Sequence, residues 1–400
     1  MADRFDTVVV GAGIVGLATA RAIRQRNSAL RIAVIDKEGS IAGHQTGRNS
    51  GVLHAGVYYS PGSDKARLCA TGRQQMIEFC RDNGVAVEIC GKVVVAVSPS
   101  EVPRLQQLGQ RCLGNGVAAE IIGSGRLREV EPFVAGVQAL HVPSTGIVDF
   151  PGVCRALVTQ LVAANVDLRL GCALIGATSL ASGLVLHTSG GDIETAHVVN
   201  CAGLHADRIA RLLGGPGAAN GLMIVPFRGE YFELAPARAH LVRSLIYPVP
   251  DPQFPFLGVH LTRGFNGRVH VGPNAVLALA REGYSWRAIN AHDLAETVRF
   301  SGFRTLAREH WRYGLGEMRR SLSRRVFAQA LARLVPDVNA SDLEPAPSGV
   351  RAQAIDATGR LVQDFAFSRS NGGRALHVLN APSPAATASL AIGDYIATQI

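Results

Sequence analysis

A glycine-rich turn near the amino terminus constrains the fold of this chain more than any other feature of its sequence. Gly11, Gly13 and Gly16 lie in the stretch GAGIVG, between an apolar segment at 7–10 and a helical pattern at 14–26. In such a turn the first glycine permits the tight bend, the second lets a diphosphate approach the backbone, and the third lets the helix pack closely on the strand. The order strand, turn, helix predicts a Rossmann-like nucleotide-binding unit.

The residues that follow extend the same pattern. Apolar residues at 31–36 predict a second strand, and Asp36 comes about twenty residues after Gly16. A carboxylate at this point accepts hydrogen bonds from the ribose hydroxyls of a dinucleotide. Because FAD and NAD share the adenosine diphosphate half that this unit binds, the turn alone leaves both cofactors open.

The net charge of the chain indicates which kinds of ligand or partner it can bind. The 400 residues carry a net charge of +9 and a sequence pI near 9.5, which favours anionic ligands. The charge is not gathered into a tail and no nucleic-acid-binding motif is present, so we expect no nucleic-acid partner. The densest basic stretch, 304–333, intersperses arginines with Leu, Phe and Trp, which is typical of a solvated helix face or of a membrane-surface patch.

The spacing of the cysteines and the lengths of the apolar runs indicate the cellular compartment of the protein. Seven cysteines, none of them in a C-x-x-C pair, indicate neither a disulfide framework nor a zinc site, and we expect no metal. An apolar strand that begins by Thr7 leaves no room for a signal peptide, and no run approaches the length of a membrane span. We therefore predict a cytoplasmic protein and leave open peripheral association with the inner face of the membrane.

Four further segments carry a family resemblance. They are HQTGRNSGVLHAGVYY at 44–59, YPVPDP at 247–252 running on to LGVH at 257–260, GPNA at 272–275 and NAPSPAAT at 380–387. Together they resemble the L-2-hydroxyglutarate oxidase/dehydrogenase family, within the D-amino-acid-oxidase-like flavoproteins. The likeness extends over nearly the whole chain.

The resemblance implies a fold and an activity. It implies FAD as cofactor and oxidation of L-2-hydroxyglutarate to 2-oxoglutarate by hydride transfer to flavin N5, with the electrons passed on to oxygen or to a membrane quinone. The fold would be an α/β FAD-binding Rossmann-like domain with a second α+β substrate domain built on an antiparallel sheet. We expect a discontinuous FAD domain from 1–90, 145–215 and 345–400, and a substrate domain from 91–144 and 216–344.

The regular elements outside the first unit follow from periodicity. We expect strands at 92–97, 228–234, 257–262, 268–271 and 376–379, a buried strand ending in a turn at 198–203, largely helical structure at 295–334, and a carboxy-terminal helix at 383–392 whose start carries Pro382 and Pro384.

The turn, the loop that begins at His44 and the carboxy-terminal helix supply the expected cofactor contacts. The residues predicted to bind FAD are Gly11, Ala12, Gly13, Ile14, Val15, Gly16, Asp36, Lys37, His44, Arg48, Asn49, Ser50, Gly51, Val52, Ala202, Gly203, Ser383 and Pro384. A helix that begins near Ser383 would stabilise negative charge on the pyrimidine edge of the flavin.

Oxidation of an alcohol beside a carboxylate needs a base and cationic or hydrogen-bonding groups for the carboxylate. Histidine is suited to neutral pH, and His54 and His260 lie in segments that resemble the family, so either is a candidate base. The predicted substrate-binding residues are Tyr58, Lys65, Tyr247, Asn274 and Arg351, with Arg263 a weaker candidate. Arg351 lies in a segment, 349–353, that resembles the family stretch beside the substrate, and a guanidinium can hold a carboxylate bidentately.

Three alternatives stay open on the sequence alone. A flavoprotein of the same superfamily acting on an amino acid or amine would share the FAD contacts and differ in its pocket. An NAD(P)-dependent dehydrogenase would share only the turn. A protein that binds flavin or nucleotide without catalysis would share the fold and lack turnover.

Overall fold

A computed structural model describes residues 3–251 and 257–400, and two large β-sheets organise this part of the chain. Its strands, in chain order, are β1 (Asp3–Val10), β2 (Ile32–Ile35), β3 (Val52–Leu53), β4 (Val87–Glu88), β5 (Lys92–Ala96), β6 (Glu120–Gly123), β7 (Gln138–Val142), β8 (Gly146–Val148), β9 (Asp167–Arg169), β10 (Leu174–Ser179), β11 (Leu184–Thr188), β12 (Gly191–Asn200), β13 (Met223–Leu234), β14 (Leu245–Pro248), β15 (His260–Arg263), β16 (Val269–Gly272), β17 (Val276–Leu277), β18 (Leu343–Ile355), β19 (Ala366–Ser370) and β20 (Ala375–Asn380). The helices are α1 (Ile14–Arg26), α2 (Asp64–Asp82), α3 (Val102–Gly114), α4 (Ser124–Val130), α5 (Phe150–Ala163), α6 (Ala206–Gly214), α7 (Ala291–Arg299), α8 (Ser301–Leu322), α9 (Arg324–Ala332) and α10 (Ala385–Ala397).

The first sheet is the Rossmann-like one. Strands β20, β12, β1, β2 and β9 lie side by side and are all parallel, and β10, β11 and β19 add antiparallel strands at the edges. The strands β1 and β2 are buried over their apolar residues, as expected where helices cover a parallel sheet. The predicted helix at 14–26 is confirmed with the same bounds.

Two helices pack closely against each other beneath this sheet. The contact depends on small residues, because a Cβ at Gly393 of α10 would lie 2.6 Å from the carbonyl oxygen of Ala18 in α1. Almost the whole of α10 is buried. It begins at Ala385, two residues later than predicted, with Pro384 at its N-cap in a non-helical conformation.

The second sheet has the order β17-β13-β16-β15-β14-β5-β7-β6, with β18 paired to β13. Its neighbours are antiparallel apart from β5 and β14, so the prediction of an antiparallel substrate sheet holds for all pairs but one. Strand β15 begins at His260, whereas we had expected a strand from Leu257. Helix α9 covers one face of the sheet, where Phe327 and Leu331 are fully buried. The predicted helical region is divided into α7, α8 and α9.

One predicted domain boundary does not coincide with a boundary between sheets. Strand β18 was assigned from residue 345 to the FAD domain, yet it pairs with β13 from Met223↔Ile355 to Leu234↔Leu343 and thus belongs to the second sheet. The change of sheet falls after Ile355. The sequence analysis predicts no strand in this segment, and apolar alternation would not identify the partner of such a strand.

Candidate active site

A cavity of about 580 Å³ lies between the two sheets and connects the glycine-rich turn to the second sheet. At one end its walls include Gly11, Gly13 and Asp36, and at the other Tyr231 and His260. The cavity therefore spans the nucleotide-binding and substrate-binding regions that the sequence predicted separately.

Each glycine of the turn has its own steric reason. A Cβ at Gly16 would lie 1.9 Å from the carbonyl oxygen of Gly11, and a Cβ at Gly11 would lie 2.5 Å from that of Cys201. Gly13 is different, because the nearest atom to its added Cβ is Thr46 Oγ1 at 3.4 Å and the residue lines the cavity. Gly11 and Gly16 hold the turn together, whereas Gly13 leaves room for a ligand.

Asp36 is held at the end of β2 by the turn itself. Its carboxylate accepts hydrogen bonds from the backbone N–H of Ala12 at 2.6 Å and of Glu38 at 2.9 Å. One carboxylate thus orders the turn and also lines the cavity, as a ribose-binding acid requires.

Two helices direct their amino ends into the cavity. Gly13, the N-cap of α1, and Pro384, the N-cap of α10, make no side-chain capping hydrogen bond, and the first residues of both helices line the walls. Thr46 Oγ1 accepts the N–H of Ile14 at 3.1 Å. The other first-turn N–H groups and the positive ends of the helix dipoles suit an anionic ligand. Two such helix ends, a diphosphate-sized gap at Gly13 and Asp36 fit FAD.

The loop that begins at His44 lies along the wall between these helix ends. The Asn49 side chain donates to the carbonyl of Thr46 at 2.7 Å and accepts from the N–H of Gly51 at 2.8 Å. Its neighbours Arg48, Ser50 and Val52 line the cavity. Asn49 therefore fixes the course of the loop that faces the cavity.

A segment from the second half of the chain, residues 278–290, packs against this loop, and we call it the covering segment. Glu282 in this segment pairs with Lys37 Nζ at 2.6 Å and with His205 Nε2 at 2.7 Å. The hydrogen bond with His205, opposed by burial and reinforced by Lys37, lowers the pKa of the Glu282 carboxyl to about 2. Arg48 lies over the ring of Tyr284, 4.1 Å from its centroid.

Glu38, His44 and Glu282 place their donor atoms within 4.8 Å of one another, the spacing of a metal site. The Lys37 ammonium forms ion pairs with both carboxylates. A lysine cation thus already pairs with both carboxylates of this group.

At the other end of the cavity the two candidate bases face the same space. His260, on β15, donates from Nδ1 to the Gly258 carbonyl at 2.9 Å, so its other nitrogen, Nε2, is left to accept a proton. His54 Nε2 lies 3.0 Å from the Ser383 hydroxyl. Burial lowers the pKa of His260 to about 3, opposed by the bond to Gly258 and reinforced by nearby cations.

His54 is uncharged for a similar reason. Burial lowers the pKa of its imidazole well below the usual value, and the charges of Lys92, His260, Arg351 and Lys65 lower it further. Three basic side chains, Lys92, Arg351 and Lys65, and a second histidine therefore act on the same imidazole. The lining residues that the structure describes include only two carboxylates, Asp36 and Glu38, and both lie at the nucleotide end.

The structure brings most of the predicted site residues to this cavity. Of the predicted substrate-binding residues, Tyr247, Asn274 and Arg351 line it, whereas Tyr58 and Lys65 do not. Tyr58 packs behind Tyr247, with ring centroids 6.4 Å apart. Burial followed by the charge of Arg351 lowers the pKa of Lys65 to about 8, and the charge of Lys65 in turn lowers the pKa of His54.

Some predicted contacts have a different structural position. Asn274 receives the N–H of Glu230 and donates to the carbonyl of Glu317, so its amide is engaged in holding strands and α8 together. Arg263, the weaker candidate, pairs with Glu88 at the surface and lies outside the cavity wall. Among the predicted cofactor residues, Ala12, Gly16 and Gly51 do not line the cavity and act through the backbone. Pro252, in one of the resembling segments, lies outside the described residues.

Several functional candidates were missed by the sequence analysis. Tyr231 lines the cavity from β13 together with Phe227 and Gly229. Alternate residues of a strand point to the same face, but the sequence does not indicate which of the two faces meets a ligand. The covering segment carries no motif. Lys92 was assigned only to a strand, although the scarcity of lysine in the chain was a usable signal.

The family comparison covers nearly the whole chain. Residues 6–399 match the DAO family, described as FAD dependent oxidoreductase. The chain is 45% identical over 393 residues to the L-2-hydroxyglutarate dehydrogenase of Indibacter alkaliphilus, covering 98% of each protein. It is 43% identical to that of Escherichia coli K12, covering 99% of this chain and 93% of the relative, and 42% identical to the human mitochondrial one, covering 99% and 88%.

Solved structures show the same fold at lower identity. L-α-glycerophosphate oxidase from Mycoplasma pneumoniae with FAD bound has a TM-score of 0.78 at 19% identity, covering 98% of this chain and 93% of that one. Glycine oxidase from Geobacillus kaustophilus has a TM-score of 0.71 at 20% identity, covering 99% and 94%. Over the described residues, no helix is both long and apolar enough to span a bilayer.

Proposed function

The chain belongs to the DAO family of FAD-dependent oxidoreductases, and from this premise we propose that it oxidises L-2-hydroxyglutarate to 2-oxoglutarate. The observation that carries the proposal is the charge at the substrate end of the cavity, where Arg351, Lys65 and Lys92 all act on His54. No carboxylate of the described lining residues lies at this end. Such a site favours a substrate that carries negative charge and no ammonium group.

The relatives agree with this choice of substrate. The three named above are all L-2-hydroxyglutarate dehydrogenases, at 42–45% identity over nearly the full length of the chain. An amino acid, the main rival substrate, would bring its α-ammonium among these cations. None of the described residues that line this end of the cavity is a carboxylate that could receive it, which is why we prefer the hydroxy acid.

The residues of this chain take distinct parts in the proposed reaction. Bound FAD supplies the hydride acceptor. Arg351 holds a carboxylate of the substrate through its guanidinium, and His260 takes the hydroxyl proton at Nε2, the nitrogen left free by the bond to Gly258. His54 stays neutral and, through Ser383, orders the start of α10.

To test this, the purified holoenzyme is mixed anaerobically with L-2-hydroxyglutarate. The absorbance band of oxidised flavin at about 450 nm is followed over time. We expect the L enantiomer to bleach the band and the D enantiomer to leave it nearly unchanged. A panel of L- and D-amino acids serves as the comparison. Faster bleaching by any amino acid than by L-2-hydroxyglutarate would refute the proposed substrate.

We further propose that the protein docks on an anionic membrane surface and passes its electrons to a quinone there. Helix α8 exposes four apolar side chains spaced four, three and four residues apart: Trp311, Leu315, Met318 and Leu322. This spacing places them on one face of the helix. Their exposed fractions run from 42% to 68%, so the face is open to a partner.

Exposed arginines lie on the same helix and at the start of α9, and their charge favours an anionic partner. The exposed arginines on α8 and at the start of α9 are Arg304, Arg308, Arg312, Arg319, Arg324 and Arg325. An apolar row bordered by basic side chains is the pattern of a helix that lies in the interface of an anionic bilayer. A quinone is dissolved in that bilayer, and oxygen needs no such surface.

Sedimentation with vesicles tests the docking surface. We expect the holoenzyme to sediment with vesicles rich in phosphatidylglycerol and to stay in solution with phosphatidylcholine vesicles alone. Trp311→Ser with Leu315→Ser should abolish sedimentation and leave flavin reduction by the substrate unchanged. Equal binding of this double variant and the parent protein to the anionic vesicles would contradict the proposal.

A further inference from the structure

The basic residues of this chain are distributed very unevenly between the two types. The sequence contains 37 arginines and only three lysines, Lys37, Lys65 and Lys92. All three act at the cavity or on its walls: Lys37 lines the nucleotide end, and Lys65 and Lys92 act on His54. Arginine stays protonated in proteins, whereas a lysine amine is compact and loses its proton readily when it is buried. A lysine at such a site can therefore change its charge where an arginine cannot.

Lys92 is the one that lacks a structural explanation. It is the first residue of β5 and only 1% exposed. None of the acidic side chains in 3–251 or 257–400 forms an ion pair with it, in contrast to Lys37. Burial of an ammonium without a counter-ion is unfavourable, so a core position for this residue calls for a compensating role.

The contacts of Lys92 lead to the cavity wall. Its Nζ lies 4.1 Å from the centroid of the Tyr247 ring and 5.1 Å from that of Tyr58. Tyr247 lines the cavity and stacks on the candidate base His260, with centroids 3.9 Å apart and an angle of 23° between the rings. A single aromatic ring therefore separates the amine from the imidazole.

Lys92 and Arg351 belong to strands on either side of β15, the strand that carries His260. In the sheet order β18-β13-β16-β15-β14-β5, Arg351 is on β18, His260 on β15 and Lys92 on β5. The charges of both basic residues act on His260. A substrate with a carboxylate at each end would place one carboxylate at Arg351 and the other in the positive potential of Lys92, which lies behind Tyr247.

We propose that Lys92 is a specificity-determining residue of this cavity, whose buried amine behind Tyr247 selects a substrate that carries a second carboxylate. The inference rests on the proposed function, because it explains why a diacid is preferred among hydroxy acids. Lys92 acts through the potential that it creates and through the ring it packs on, since Tyr247 lies between it and the cavity.

The surroundings of Lys92 allow its amine to gain or lose a proton near neutral pH. Burial lowers its pKa to about 7, and neighbouring thiols oppose the shift. The groups that face it are Tyr58, Tyr247, Cys69, Cys90, Cys112, His54 and His260. A bound dianion would favour the protonated amine, so substrate binding and proton uptake at Lys92 should reinforce each other.

Two substrates of equal length separate this role from a structural one. We would compare L-2-hydroxyglutarate with L-2-hydroxypentanoate, which has a methyl group in place of the second carboxylate, in the parent protein and in Lys92→Met and Lys92→Arg. In Lys92→Met we expect kcat/KM for the diacid to fall about tenfold or more, mainly through KM, and that for the monoacid to change less than about twofold. Arg126→Met, which removes an exposed ion pair, is the matched control.

The pH dependence of KM gives a second readout. As pH rises through about 7, the amine loses its charge, so KM for the diacid should rise in the parent protein and not in Lys92→Arg. Equal losses for both substrates in Lys92→Met would show a structural role and overturn the proposal. So would an unchanged preference for the diacid.

A measurement without turnover completes the test. In holoenzyme labelled with ¹⁵N only at lysine Nζ, three resonances are expected, and Lys37→Arg and Lys65→Arg assign the third to Lys92. It should titrate near pH 7, and 2-oxoglutarate should move that titration to higher pH. A titration of this resonance that 2-oxoglutarate leaves unmoved would overturn the proposal even if Lys92→Met fails to fold. If the parent protein oxidises neither hydroxy acid, the proposed function fails while the NMR titration still decides the role of Lys92.

Discussion

The Tyr284 hydroxyl lies 2.5 Å from His44 Nδ1, and the two rings also stack with centroids 5.9 Å apart. These residues are 240 positions apart, one in the covering segment and the other at the start of the cofactor loop. Together with the pairs from Glu282 to Lys37 and His205, they fasten the covering segment over the nucleotide end of the cavity. Cofactor release should therefore require these contacts to open.

We predict that Glu282→Gln loses FAD more readily than the parent protein. The substitution keeps the shape of the side chain and removes the charge that holds Lys37 and His205, which are the partners that lower the pKa of this carboxyl. We expect the apparent Kd for FAD to rise about tenfold, measured from flavin fluorescence released on dilution. Glu129→Gln breaks an exposed pair with Arg126 and should leave FAD retention unchanged. Equal retention in the Glu282 and Glu129 variants would contradict the prediction.

The first unit of the fold could be read from the sequence because its rules are local. The turn, α1 and Asp36 occupy consecutive stretches, and each glycine has a steric role that a short motif encodes. The FAD cofactor and the second sheet came from a resemblance, since FAD and NAD share the half that the turn binds. The family match and the solved structures confirm both.

The parts that the sequence did not predict depend on contacts between distant segments. Tyr284 meets His44, and Lys92 meets Tyr247, across more than 150 residues. No strand is predicted from periodicity at 343–355, and the pairing of β18 with β13 joins segments that are far apart in the sequence. The sequence also could not rank His54 and His260, because the bond from His260 Nδ1 to Gly258 is a property of the folded backbone.

The glycines of the turn should fail in two different ways when they are replaced. Gly16→Ala places a Cβ 1.9 Å from a backbone oxygen, so we expect the protein to lose about 2 kcal/mol or more of stability with or without FAD. Gly13→Ala meets its nearest atom at 3.4 Å, so the apoprotein should keep its Tm while FAD binding weakens. Thermal unfolding of both apoproteins and FAD titration check this. A destabilised Gly13→Ala apoprotein would show that the glycine serves the fold rather than the ligand.

His260 should matter more than His54 for the chemical step. We expect His260→Asn to slow anaerobic flavin reduction by L-2-hydroxyglutarate about 100-fold or more and His54→Asn to slow it less. Burial lowers the pKa of both imidazoles, that of His260 to about 3, so the base is unprotonated throughout the neutral range. The rate constant in the parent protein should therefore stay level from pH 8 down to pH 6, at saturating substrate. A fall in this rate constant with a midpoint at about pH 6.5 would indicate a base with the usual pKa of histidine instead.

The buried pair of Arg281 and Asp207 should be the most sensitive charged contact in the protein. Both side chains are at most 2% exposed. Arg281 also donates to the Leu204 carbonyl at 2.7 Å, and Asp207 forms a second ion pair with Arg211. Burial raises the pKa of Asp207, but the bond and charge of Arg281 outweigh it, so the pKa is lowered. This carboxylate therefore stabilises the fold at neutral pH, and that contribution is lost as pH falls through its folded pKa.

Arg281→Met should remove the interactions that outweigh the cost of burying the Asp207 carboxylate. It leaves a buried carboxylate with one partner fewer, and we expect a loss of about 3–5 kcal/mol in urea unfolding of the holoenzyme at neutral pH. Adding Asp207→Asn removes the stranded charge and should recover part of the loss, because the desolvation cost disappears with it. Arg126→Met, at an exposed pair, should cost less than about 1 kcal/mol. A double variant no more stable than Arg281→Met would mean that packing by the arginine stem, rather than the buried charge, makes this contact important.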